Sequence, residues 1–166
     1  MKLYHGSNLI VDKPKILTRY RELDFGAGFY TTPNLKQAVK FAGHVTEWRE
    51  SGEAVVSVYE FDEQRAAKEL KRLDFAAADE AWLDFVVANR KGLKQKNEHD
   101  IVSGAVANDD VYTTIALYVS GQIDKESAIK RLEVRKLYYQ IMFATKRALS
   151  FLSFVGIERG VATHGK

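Results

Sequence analysis

The chain has 166 residues, 46% hydrophobic and 28% charged, with a formal net charge of +3 and no cysteine. A chain of this size buries roughly 70% of its unfolded surface without covalent staples, and the missing cysteine excludes disulfides, thiolate metal sites and a cysteine nucleophile. Basic residues are mixed with acids instead of gathered on one face, which argues against a dedicated nucleic-acid module. No apolar run reaches the ~18 residues of a membrane span, and Met1–Gly6 carries no signal-like stretch, so a cytoplasmic protein with no membrane partner is expected.

Met1 to His5 reads as a short strand ending at Gly6-Ser7. Residues 8–28 read as a loop with a polar middle at 18–22, closing on Asp24-Phe25-Gly26-Ala27-Gly28. Phe29-Tyr30-Thr31 favours a strand. Thr32 then reads as a helix cap, with Pro33 in the first turn. Leu35, Ala38, Val39, Ala42 and Val45 recur at helical spacing, and Ser51-Gly52 ends the run. Residues 54–61 are apolar on both faces, which predicts a central strand covered on both sides. Helices are predicted over 63–73 and 79–91; in the second, Trp82, Phe85, Val86 and Asn89 share a face.

A strand is predicted from His99 to Val106. Asn108-Asp109 then caps a helix running to Val119, and Ile123 with Asp124 begins another. Leu137 to Phe143 reads as a late strand. Thr145 caps a final short helix carrying Ala148, Leu149 and Leu152. Residues 1–159 are read as a single domain and 160–166 as a flexible tail. The elements do not alternate in even βαβ units, so the expected class is α+β, a mixed α/β arrangement, and not a doubly wound sheet.

Two short motifs carry chemistry. In the first, a strand-end His5 can turn a ring nitrogen into a cleft and donate to a hydroxyl. Gly6 lets a ligand approach the backbone, and Ser7 adds a polar contact. In the second, Gly26 and Gly28 turn a loop onto the strand that holds Tyr30, whose flat ring suits stacking on a planar ligand. Taken alone, each has a plain structural account: a histidine at a strand end, a glycine turn and a core tyrosine. Gly26-Ala27-Gly28 lacks the third glycine of a dinucleotide fingerprint and leads into a strand, where the fingerprint leaves one. No Gly-x-Ser-x-Gly motif supports a serine hydrolase. With no cysteine and no paired acid–histidine spacing, no metal site is expected.

Together, Tyr4-His5-Gly6-Ser7, then Gly28-Phe29-Tyr30-Thr31-Thr32, then a helix with Ala38 and Ala42 on one face, resemble the ADP-ribosyltransferase superfamily. The resemblance is to its diphtheria-toxin-like and poly(ADP-ribose) polymerase-like branch. The chain is also similar to a small family of bacterial proteins of unassigned function, placed in that superfamily and found near toxin–antitoxin genes. That similarity lies in Asp24-Phe25-Gly26, in Trp82-Leu83-Asp84-Phe85-Val86, and in Asp100-Ile101-Val102 with Val106-Ala107-Asn108-Asp109. Gln140-Ile141 with Phe143 completes it.

The resemblance implies an ADP-ribosyltransferase-like split β-sheet core with surrounding helices. It implies NAD as substrate, a macromolecular acceptor and a possible cognate antitoxin. It would place NAD against His5, Gly6, Ser7, Phe25, Gly28, Tyr30 and Thr31, with His5 on the adenosine-side ribose and Tyr30 stacked on nicotinamide. The superfamily also carries a catalytic glutamate on a late strand. Here Gln140 stands at that place. An amide can bind a ribose hydroxyl but brings no negative charge to a developing cation. On this basis Gln140→Glu is expected to keep or raise NAD cleavage.

Asp109 is a second catalytic candidate. It either caps its helix or enters the cleft, with Asn108, to orient or activate the acceptor. Asp100 is a weaker candidate of the same kind. Asn89-Arg90 is read either as a phosphate contact or as a solvated helix end.

Overall fold

The computed structural model describes residues 1–18, 23–93, 98–106, 109–133 and 138–159, and of Asp109 and Asp110 the backbone alone. The chain begins with β1 (Lys2–Ser7), β2 (Phe29–Thr31), α1 (Leu35–Arg49), β3 (Val55–Phe61) and α2 (Glu63–Glu69). It continues through β4 (Arg72–Asp74), α3 (Glu80–Arg90), β5 (Ile101–Ala105), α4 (Asp109–Val119) and α5 (Lys125–Glu133). It closes with β6 (Tyr139–Phe143), α6 (Lys146–Leu149) and β7 (Leu152–Arg159). The predicted flexible tail, 160–166, lies outside the described residues.

The strands form two sheets, ordered β1-β3-β7 and β2-β6-β5-β4. Among the named strand pairs only β4–β5 is parallel. Strand alternation sorts the side chains into layers. Leu3, Tyr59 and Phe61 from the first sheet meet Ile101, Ile141 and Phe143 from the second in one apolar cluster between them. Val102 and Met142, one residue out of phase, face a second cluster with Trp82, Phe85 and Val86 of α3, Val111 and Ile115 of α4, and Leu132 of α5. Ala38 and Ala42 of α1 pack on Val56, on the far side of the first sheet. This is a mixed α+β architecture with helices on the outer faces of two sheets. The stretch at 55–61, buried everywhere but at Glu60, is the centre strand of its sheet, as its two-sided pattern requires.

Three boundaries differ from the sequence reading, each for a physical reason. Asn34, not Thr32, caps α1, its side chain accepting from Gln37 N at 3.2 Å. Thr32 accepts from Asn34 N and donates to the Gln37 side chain instead. Pro33 therefore precedes the cap. Helix α2 ends at Glu69, and Arg72–Asp74 pairs with β5 as a short parallel strand. Ala66, Leu70 and Leu73 keep helical spacing, which disguised the break. Leu152, expected on the last helix, instead opens β7, which runs antiparallel to β3 as far as the pair Val55–Arg159. A bulge opposite Val58–Tyr59 leaves Val155 as the extra residue beside Gly156, whose φ of 151° suits glycine.

Candidate functional site

Among the described residues the two sheets are bridged by one backbone pair. Tyr4 and Thr32 exchange hydrogen bonds of 2.9 Å, and beyond that pair β1 and β2 part. The cleft at the parting is lined by Tyr4, His5, Gly6, Tyr30, Thr31, Gln37, Phe41 and Gln140, and its cavity volume is about 100 Å³. This is smaller than ordinary ligand pockets, roughly 300–1,000 Å³. His5, Tyr30 and Gln140 come from three strands and two sheets, so the fold brings together the three residues on which the sequence reading turned. A larger hollow of about 300 Å³ lies by Phe75, Ala76–Ala78, Leu132 and Tyr138, and its lining includes none of the expected site residues.

His5 bridges the gap. Its Nδ1 lies 2.7 Å from the Tyr30 carbonyl oxygen. A carbonyl only accepts, so Nδ1 carries the proton and donates. Burial pushes the imidazole below the usual histidine range; the bond to Tyr30 opposes this, and the Arg49 charge adds to it. The ring is therefore neutral near pH 7 with a bare lone pair on Nε2. Sequence reasoning had His5 donating to a hydroxyl; in this tautomer its free nitrogen accepts from one. The ring rests on Phe29, centroids 4.5 Å apart.

Tyr30 is fixed by its polar end. Its hydroxyl donates to the Gly26 carbonyl at 2.6 Å and accepts from Phe25 N at 3.1 Å. Burial, with the nearby Asp24 charge, pushes the phenol well above the usual tyrosine range, against the bond from Phe25 N and the Arg90 charge. Phe25 lies behind the ring, nearly parallel at 6.5 Å between centroids, so the ring plane has little freedom. Thr31 lines the cleft, but its hydroxyl is spent on the Ile141 carbonyl at 2.9 Å.

Gly6 lines the cleft and also admits the backbone of α1, because a side chain there would place its Cβ 2.1 Å from the Ala38 carbonyl oxygen. Three other expected NAD contacts have other occupations. At Gly28 a Cβ would lie 2.1 Å from Met142 Sδ, so this glycine serves packing on β6. Ser7 is buried and turned toward Asn8, outside the cleft lining. Phe25 is fully buried in the helix-side core, where it supports Tyr30 from behind.

The acids resolve differently. Asp100 accepts from Thr145 Oγ1 at 2.6 Å and from Lys71 N at 3.1 Å, ties between elements that leave it out of the cleft lining. Asp109 starts α4, but its side chain lies outside the described residues, as does Asn108 entirely. Arg90 is only partly exposed and is paired within the protein, its Nη2 and Nε donating to Asp24 Oδ1 at 2.5 and 2.8 Å. Its guanidinium also lies 4.9 Å over the Tyr112 ring.

Sequence reasoning missed Gln37, Phe41 and Asp24. Phe41 is 55% exposed although large and apolar. It shares a helix face with Gln37 and Ala38 at i+4 and i+3, a spacing that could have drawn it to the pocket. No group of three or more His, Asp or Glu that could hold a metal occurs among the described residues. No helix there is long and apolar enough to cross a membrane.

A family profile described as a protein of unknown function, DUF3990, matches residues 1–154. The chain belongs to the DUF3990 family. No curated protein and no solved structure matches it. The family description assigns no activity, so function is argued from the cleft.

Proposed function

We propose that this DUF3990 member is an NAD-dependent ADP-ribosyltransferase that binds NAD in the cleft between β1, β2 and β6. One observation carries the reading: His5, Tyr30 and Gln140, far apart in sequence, line a single cleft where the two sheets part. Tyr30 and Phe41 offer ring faces to nicotinamide. Nε2 of His5 accepts from the adenosine-side ribose, and Gln140 meets the nicotinamide-side ribose. In the reaction the bond between nicotinamide N1 and ribose C1′ breaks, and nicotinamide leaves neutral with the bonding pair. A nucleophile of the acceptor bonds to C1′ and gives its proton to solvent. The acceptor is a macromolecule, and the cellular role is that of a cytoplasmic toxin-like effector with a cognate antitoxin.

Gln140 itself favours a second reading, a nucleotide-binding module without turnover, because its amide brings no net charge to an oxocarbenium-like transition state. Mixing the protein with NAD separates the two. A transferase is protected against heat and releases nicotinamide. A binding module is protected only, by about 2.7 kcal/mol at 100 times the dissociation constant. A protein that NAD does not protect and that releases no nicotinamide overturns both readings.

A further inference from the structure

Gln140 is 8% exposed, and its Nε2 lies 3.4 Å from Asp24 Oδ2. An ionised carboxylate has only acceptors, so it fixes which end of the amide faces it. Nε2 turns to Asp24 and Oε1 turns away. Among the described residues Oε1 has no hydrogen-bond partner and is not sealed in the core, and Gln140 lines the cleft. Asp24 in turn is held by the two Arg90 contacts on its other oxygen. The next two residues, Phe25 and Gly26, hold the Tyr30 hydroxyl. A single loop therefore sets both the ring and the amide of the site.

We propose that Asp24 is the positioning residue of the cleft: it presents Gln140 Oε1 to a ligand hydroxyl and lends that oxygen negative character. This rests on the transferase reading for its chemistry, though not for its geometry. A hydrogen bond to an ionised group is stronger than one between neutral groups and polarises the amide in between. The acid missing from position 140 is thus supplied one side chain further back. The amide is also what the neighbourhood demands. A glutamate at 140 would set two carboxylates at hydrogen-bond distance, where both cannot stay ionised. The expectation that Gln140→Glu keeps or raises cleavage therefore reverses: the single variant loses activity.

The test is a double-mutant cycle of Asp24→Asn and Gln140→Glu, read in melting temperature and in nicotinamide release. Each single variant melts lower than the parent. The double variant, with an amide now donating to a carboxylate, melts higher than the two losses added together predict. Strict additivity overturns the proposal, and this arm needs no NAD. In release assays Asp24→Asn lowers kcat on the order of tenfold or more while KM for NAD moves less than about threefold. Adding Gln140→Glu restores much of the loss, a rescue that a merely structural Asp24 would not show. An unchanged kcat, or a loss confined to KM, overturns the proposal. If the parent neither binds NAD nor releases nicotinamide, the transferase reading fails and the melting cycle alone decides the Asp24–Gln140 pair.

Discussion

On the wall formed by β1 and β2, His5 and Tyr30 are held by neutral backbone groups of β2 and the turn before it, with α1 packed against β1 through Gly6. On the wall formed by β6, Gln140 is held by a carboxylate that is itself held by a guanidinium, drawn from the loop before β2 and the end of α3. The first wall shapes: it fixes a ring plane and a lone pair. The second carries charge without exposing it. Changes on the first wall should therefore act mainly on stability and affinity, and changes on the second mainly on turnover.

The largest expected effect is on the shaping wall. Tyr30→Ala removes a ring packed on Phe25 and orphans Phe25 N and the Gly26 carbonyl, which should cost about 3–5 kcal/mol of unfolding free energy in a denaturant titration. An alanine scan of the first wall therefore confounds folding with binding. Tyr30→Phe keeps the ring, costs about 1 kcal/mol, and should leave NAD affinity within about threefold, since the ring and not the hydroxyl meets the ligand. A large affinity loss in the phenylalanine variant would move the hydroxyl into the site.

Gly6→Ala should cost about 1–3 kcal/mol, because its methyl meets the backbone of α1 and neither partner can yield cheaply. A fully stable Gly6→Ala variant that loses NAD binding would put the ligand, not α1, against this glycine. Asn34→Ala should cost about 1 kcal/mol as a lost cap, with Thr32→Ala acting through the bond to Gln37.

The smallest effect is a slope. The imidazole of His5 is harder to protonate folded than unfolded, so the unfolded chain takes up the extra proton as pH falls. Stability contributed by this residue is complete above its ordinary value of about 6.5 and is lost as pH falls from there toward the folded value. His5→Asn should flatten that part of the unfolding curve. An unchanged slope would place a protonated histidine in the cleft.

What the sequence made legible follows from range. Caps, helical spacing and the apolar run at 55–61 are local, and they located α1, β3, α3 and α6 within a few residues. The helix reading over 63–73 ran on because Leu73 continues a spacing that the pairing with β5 interrupts. Strand β7 was missed because Leu152 extends the spacing of Ala148 and Leu149, hiding the β-favouring Phe154, Val155 and Ile157 behind it. In the site, glycine signals said that something comes close at Gly6 and Gly28 without saying what; it is a helix backbone and a methionine. Asp24 stood out only as part of Asp24-Phe25-Gly26, and its role was hidden because its contact with Gln140 spans most of the chain.

The most direct test follows the ring nitrogens of His5 by nuclear magnetic resonance in the histidine-labelled protein, with and without NAD. The account predicts a neutral ring protonated on Nδ1 near pH 7, and a shift of the Nε2 signal on adding NAD while exposed His44 stays still. A protonated His5, or Nε2 signals that ignore saturating NAD, would contradict it.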